Sequence, residues 1–151
     1  MCANPYLCQI SFESERIHAA AIYCSDGRFG EHMDDFLQNA LALPRYDRLV
    51  VPGGPARLVD RFSAFDEQRA TRNDLKFLVE AHGLERVILV AHTDCAYYTS
   101  KRTLPPDRLE ELQKTDLLDA ARAIKQATNH VRVDTYFARL KGGAVQFEVV
   151  A

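Results

Sequence analysis

Two short stretches of this 151-residue chain carry side chains that could do chemistry: Cys24-Ser25-Asp26-Gly27-Arg28 and His92-Thr93-Asp94-Cys95. Two thiolates and an imidazole, from Cys24, Cys95 and His92, suit Zn²⁺. Three protein ligands leave a fourth position open, which is the pattern of a catalytic zinc rather than a closed structural one. An ion held that way lowers the pKa of bound water towards ~7 and makes hydroxide available at neutral pH. In an extended turn alternate side chains share a side, so Asp26 and Arg28 can form a carboxylate–guanidinium clamp beside the metal. Arg28 would keep Asp26 ionised, and so an acceptor for the zinc-bound OH. Taken by themselves, the same residues also fit two buried thiols, a satisfied core histidine and a salt bridge across a turn. Asp94 reads as a turn or helix-capping residue rather than a ligand.

For the two stretches to meet, the elements before them must bring them together. Ile17 to Cys24 is a short apolar run, apolar on both faces, and predicts a buried strand. Glu31 to Leu43 places Met33, Phe36, Leu37, Ala40 and Leu41 at helical spacing, with Pro44 as the stop. Arg48 to Pro52 is a second strand closing on Gly53-Gly54. Asp66 to His82 is a helix with Leu75, Phe77, Leu78 and Ala81 inward and Gly83 beyond its end. Arg86 to His92 is a strand rich in β-branched residues. A long helix runs from Pro105-Pro106 to about Thr128, with Leu109, Leu112, Leu117, Leu118, Ala121 and Ile124 on its apolar side. Val131 to Leu140 and Ala144 to Val150 are two strands joined at Lys141-Gly142-Gly143. This alternation predicts an α/β fold of three layers, a mostly parallel sheet between helices with an antiparallel last strand. Ligands of such sheets bind beyond the carboxyl ends of strands where strand order reverses. With strand one between strands two and three, Cys24, His92 and Cys95 converge on one point.

The composition bounds the rest. This length suits one domain, read as residues 17–151, preceded by an N-terminal arm over residues 1–16. A formal net charge of −2 argues against a general affinity for nucleic acid or anionic membrane, leaving a small molecule as the expected partner. No leader-like start is visible and the apolar runs are strand-sized, so the expected location is the cytoplasm. Four cysteines in a reducing compartment favour metal or redox chemistry over disulfides, and none forms a CxxC pair.

The pattern C-x-D-x-R followed at a distance by H-x-x-C, each half after a buried strand, resembles the β-class carbonic anhydrases. The likeness spans about residues 17 to 100, and Val87-Ile88-Leu89-Val90-Ala91-His92 is similar to that family's third strand. The resemblance implies strand order 2-1-3-4 with strand five as an antiparallel edge, and an assembly of homodimers. It implies zinc on Cys24, His92 and Cys95, and an Asp26–Arg28 dyad orienting zinc hydroxide for attack on CO₂ to give bicarbonate. In some members the aspartate itself binds zinc, which would make Asp26 a fourth ligand in a closed state. This chain has Pro52-Gly53-Gly54-Pro55 where the family has an Arg-Asn-Ala-Gly-Asn-type run. It has Ala96-Tyr97-Tyr98 where the family has Gly after the second cysteine, and an arm too short for the family's two N-terminal helices.

Those departures motivate two rivals to carbonate dehydratase activity. One is a related zinc hydrolase of COS or CS₂, and the other a non-catalytic zinc-binding scaffold. Pro52 to Pro55 reads as a plain turn, with an anion cradle as the alternative. Tyr97 and Tyr98 would narrow the pocket or pack in an interface. His32 is read as incidental, with proton relay as the alternative. Cys2 and Cys8 are read as spare thiols, and His18, His82 and His130 as structural.

Overall fold

The computed structural model describes residues 4–151. Cys2, and the reading of it as a spare thiol, lies outside the described residues. Residues 4–16 form no helix or strand and lie exposed, with Tyr6, Leu7, Ile10 and Phe12 turned to solvent.

Strand β1 (Ala19–Cys24) is buried along its whole length, as a strand apolar on both faces must be. It runs parallel between β2 (Asp47–Val51) and β3 (Arg86–His92). Strand β4 (Arg132–Lys141) continues parallel beside β3, and β5 (Ala144–Val149) closes the edge antiparallel across the Gly142-Gly143 turn. The order is β2-β1-β3-β4-β5, as expected. From β1 the chain moves to β2 on one side and then returns to β3 on the other. Strand order therefore reverses between β1 and β3, where open α/β sheets hold their ligands.

Alternation along the strands assigns each side chain to a layer. Ala20 and Ile22 of β1 and Val87 and Leu89 of β3 pack with Leu75 and Val79 of α2 (Phe65–His82) and with Leu117 and Ile124 of α4 (Pro106–Ala127). Ala19, Ala21, Tyr23, Ile88 and Val90 face the other way, against Phe29, Met33 and Leu37. Helix α1 (Gly30–Asp35) and the wide turn after it (Phe36–Ala40) cover that second face.

Three local readings are corrected. The expected helix from Glu31 to Leu43 is one short helix followed by a π-type turn, in which the Leu41 N–H reaches the Phe36 carbonyl at 3.1 Å. The wider turn lays Leu37, Leu41 and Leu43 on the sheet and leaves Ala40 exposed. In α2 the buried line is Thr71, Leu75 and Val79, spaced by four, while Ala81 is exposed and Phe77 is 68% exposed. Two positions beyond Leu75 is a rotation of about 200°, which turns Phe77 away from the core. In α4 the buried face includes the polar residues Gln113 and Asp116. Two short elements escape the sequence pattern altogether: a 3₁₀ turn at Gly54–Leu58 and α3 (Ala96–Thr99).

Candidate metal centre

Cys24 ends β1, His92 ends β3, and Cys95 begins α3 after one tight turn. By alternation Cys24 lies on the α2–α4 side of the sheet, among Ala56, Cys95, Tyr98 and Leu109. His92 lies on the other side, its ring against Phe29. The two layers meet only beyond the strand ends, and there the Sγ atoms of Cys24 and Cys95 and a ring nitrogen of His92 lie within 4.8 Å of one another. All three residues are buried, at 9%, 3% and 1% exposure. The tight turn is made by Asp94, which adopts φ 57° and is not part of that cluster, in keeping with its reading as a turn residue.

The donor set fits a zinc ion. The sulfurs of Cys24 and Cys95 are 3.8 Å apart, and two thiolates on a tetrahedral zinc at ~2.3 Å would stand about 3.8 Å apart. His92 Nδ1 lies 2.7 Å from the Thr93 carbonyl. A carbonyl only accepts, so Nδ1 carries the proton and Nε2 keeps its lone pair. That Nε2 is buried with no hydrogen-bond partner among the described residues. A buried acceptor left without a donor is costly, and a cation would satisfy it. Donation from the Cys95 thiol lowers the Cys24 thiol below the usual range, against the opposing effect of burial. The Gly53 N–H acts in the same direction as that donation. Cys95, as the donor, is pushed up by the same bond and by burial. The bond between the two sulfurs therefore favours the thiolate at Cys24 over that at Cys95.

Asp26 is outside the cluster, and its carboxylate is turned to Arg28. Arg28 Nε reaches both carboxylate oxygens at 3.0 and 3.1 Å, Nη2 reaches Oδ2 at 2.6 Å, and the Arg28 backbone N–H donates to Oδ1 at 3.0 Å. These donors push the Asp26 carboxyl down to about 2. Arg28 Nη2 also donates to the Asp94 carbonyl at 3.3 Å, so one guanidinium ties the turn after β1 to the turn after β3.

Other side chains hold the turns in place. Buried Gln113 of α4 donates from Nε2 to the His92 carbonyl at 2.8 Å. Buried Asp116 accepts from the Tyr98 hydroxyl and from Arg61 Nε, both at 2.7 Å, and so fastens α3 to α4. Burial raises the Asp116 carboxyl, opposed by these two donors. The Gly53 N–H points at Cys24 Sγ, 3.4 Å away, so the Pro52 to Pro55 turn directs that donor at a sulfur. Tyr98 is buried against the cysteines while Tyr97 packs over the Gly53 turn. His32 is exposed on α1, Cys8 is an exposed free thiol, and His82 bonds Asp47 at 2.5 Å. His18 sits 3.2 Å from Arg16, and His130 is exposed after α4. Sequence reasoning passed over Phe29, Gln113 and Asp116. The available signal was two polar residues on the otherwise apolar stripe of α4, and an aromatic residue directly after the Arg28 turn.

Residues 14–150 match the family model described as "Putative carbonic anhydrase". No curated protein matches the chain by sequence. Among solved structures, the chain is similar to the β-carbonic anhydrase CafD of Aspergillus fumigatus, with TM-score 0.60, 11% identity, and 89% of this chain and 90% of that one covered. It is similar to a carbonic anhydrase from Streptococcus mutans, with TM-score 0.56, 17% identity and coverages of 88% and 81%. One of the two tetrameric β-carbonic anhydrases described from Sordaria macrospora matches with TM-score 0.54, 13% identity and the same coverages of 88% and 81%.

Proposed function

The chain belongs to the family described as "Putative carbonic anhydrase", and from that premise we propose that it is a zinc-dependent lyase of the β-carbonic anhydrase type, interconverting CO₂ and bicarbonate. The observation that carries this reading is the convergence of Cys24, His92 and Cys95 at the strand-order reversal, with the Asp26–Arg28 clamp beside them. Cys24, His92 and Cys95 would hold the zinc. When bound, zinc supplies a Lewis acid that makes water a nucleophile at neutral pH.

The protein's own groups do the rest. Arg28 keeps Asp26 ionised, so its carboxylate accepts a hydrogen from the reacting water and does not compete as an acid. The backbone N–H of Arg28 holds Oδ1 while its guanidinium spans both oxygens, and together they fix the orientation of the carboxylate. Thr93 and Gln113 hold the His92 imidazole and backbone, and so aim Nε2. Ala56, Phe62, Leu104 and Leu109 pack about the cysteines, surroundings that suit an uncharged substrate such as CO₂. The same surroundings suit COS or CS₂, which keeps sulfide release from those molecules as the second reading.

The assembly proposed is a homodimer, with residues 1–16 as an arm. Four apolar side chains exposed along residues 4–16 support that role. Among the described residues no helix is long and apolar enough to cross a membrane. Free thiols at the proposed ligands fit a reducing compartment, and cytoplasmic residence is part of the proposal.

A CO₂ hydration assay on zinc-loaded and chelator-stripped protein tests the reading. Hydration that follows zinc content supports it. A zinc-loaded, folded sample with no hydration between pH 7 and 9 overturns the activity, and sulfide release from COS or CS₂ exceeding hydration replaces the substrate.

A further inference from the structure

Gly53 and Gly54 occupy a tight place. Gly53 has φ +83°, and a Cβ built on it would stand 2.6 Å from two ring carbons of Tyr97. Gly54 has φ +52°, and a Cβ there would meet the Cys24 nitrogen and the Tyr23 carbonyl carbon at 2.7 Å. One side of this turn is therefore pressed onto the end of β1, and the other lies under the flat ring of Tyr97. Between the two contacts the Gly53 N–H is aimed at Cys24 Sγ, 3.4 Å away. The far end of Tyr97 does not anchor the ring. Its hydroxyl is buried near Glu67 and Arg57, and among the described residues no hydrogen bond of ordinary geometry holds it. The ring packs on Gly53, beside Tyr98 and under Lys101.

We infer that Tyr97 is a positioning residue for the Cys24 thiolate, acting through Gly53: its ring holds the Gly53 N–H on the sulfur. The inference rests on the reading of Cys24 as a metal ligand, and it concerns how this chain tunes that ligand. A hydrogen bond to a ligating thiolate stabilises the sulfur lone pair, so it raises the energy of sulfur-to-metal charge transfer. Partners of this kind typically change metal affinity by about 10–100-fold when removed.

The test compares wild type with Tyr97→Phe, which keeps the ring, and with Tyr97→Ala and Tyr97→Met, which remove it. Methionine fills volume without a flat face, so it decides alone if the alanine variant fails to fold. Three readouts are taken: cobalt(II) affinity by chelator competition, the thiolate-to-cobalt charge-transfer band, and hydrogen exchange of the Gly53 amide in metal-free protein. The expected result is that Tyr97→Phe matches wild type in all three. Tyr97→Met loses about tenfold in cobalt affinity, shifts the band to lower energy and exchanges the Gly53 amide faster. Wild-type values in Tyr97→Met overturn the inference, and so does a Tyr97→Phe variant that behaves like Tyr97→Met. Wild-type protein that takes up no cobalt overturns the metal reading instead. Gly53 exchange in the metal-free variants then still decides whether Tyr97 positions the turn, faster in Tyr97→Met supporting it and equal rates overturning it.

Discussion

The ring of Phe29 lies against the imidazole of His92, with centroids 4.4 Å apart and planes inclined by 38°. Phe29 follows the Arg28 turn and His92 ends β3, so this contact joins the two stretches on the α1 side of the sheet. The Arg28 bond to the Asp94 carbonyl joins them again. Phe29 is buried with Met33 and Leu37. Phe29→Ala is expected to lower unfolding free energy by about 3–5 kcal/mol, and Phe29→Leu by much less. Urea unfolding of metal-free protein measures both, and an alanine cost below ~1 kcal/mol would show that the ring is not packed as described.

The Asp26–Arg28 clamp separates metal binding from turnover. Asp26→Asn and Arg28→Ala should retain zinc at the wild-type ratio while CO₂ hydration falls by about 10²-fold or more. Metal analysis on the samples used for stopped-flow assays checks both at once. Variants that lose zinc together with activity would instead place these residues in metal retention.

Zinc should stabilise the fold through Cys24, His92 and Cys95. At about 100 times its dissociation constant, it is expected to raise unfolding free energy by ~2.7 kcal/mol, by mass action on the native state. Cys24→Ser should lose most of that increment. Calorimetry with and without chelator provides the comparison, and an increment unchanged in Cys24→Ser would assign the binding elsewhere.

Asp116 shows why a buried carboxylate belongs in α4. Asp116→Ala leaves Arg61 and the buried Tyr98 hydroxyl without their shared acceptor, and a buried donor left unpaired costs about 1–3 kcal/mol. Asp116→Asn, which still accepts, should cost less. Equal denaturation midpoints for these two variants would contradict the described bonding.

Towards the β5 edge of the sheet, Arg139 holds Glu110 and Glu148 together. Arg139 and then Lys114 push the Glu110 carboxyl from 4.5 down to about 2. A depressed carboxyl contributes stability above its unfolded pKa and loses that contribution as pH falls through its folded one. The contribution, on the order of 2 kcal/mol, is thus complete above about pH 5 and lost towards pH 2. Glu110→Gln should be less stable than wild type at pH 7, with the difference shrinking as pH approaches 2. A difference independent of pH would rule out this ion pair as its source.

Legibility in the sequence followed from how local each feature is. Strand β3 runs from Arg86 to His92 as read, because the apolar run stops where the polar ligand-like residues begin. The alternation of elements pointed to a mostly parallel sheet, while its strand order was legible only through the family resemblance that the paired motifs carry. Helix phase was harder. Phe77 is apolar and close to the right spacing, but only packing against the sheet shows that Thr71, Leu75 and Val79 form the buried line. Gln113 and Asp116 look like surface residues until the chain beyond β3 supplies the His92 carbonyl and the Tyr98 hydroxyl they bind. The π-type turn after α1 and the four-residue α3 are too short for periodicity to register. In the candidate site, the cysteines, His92, Asp26 and Arg28 were visible as types at a spacing. The Tyr97 contact with Gly53 was not, since it joins positions that only the fold makes neighbours.

The placement of β3 beside β1, after β2 has taken the other side, also sets an order in time. A chain emerging from the ribosome presents Cys24 early, alone at the end of a strand whose second neighbour does not yet exist. His92 and Cys95 follow only after β2 and α2 have been made. Any ion held by these three residues is therefore captured late, once β3 has inserted. Its presence marks a chain in which β3 already lies beside β1, and a fragment ending before β3 has Cys24 without His92 and Cys95.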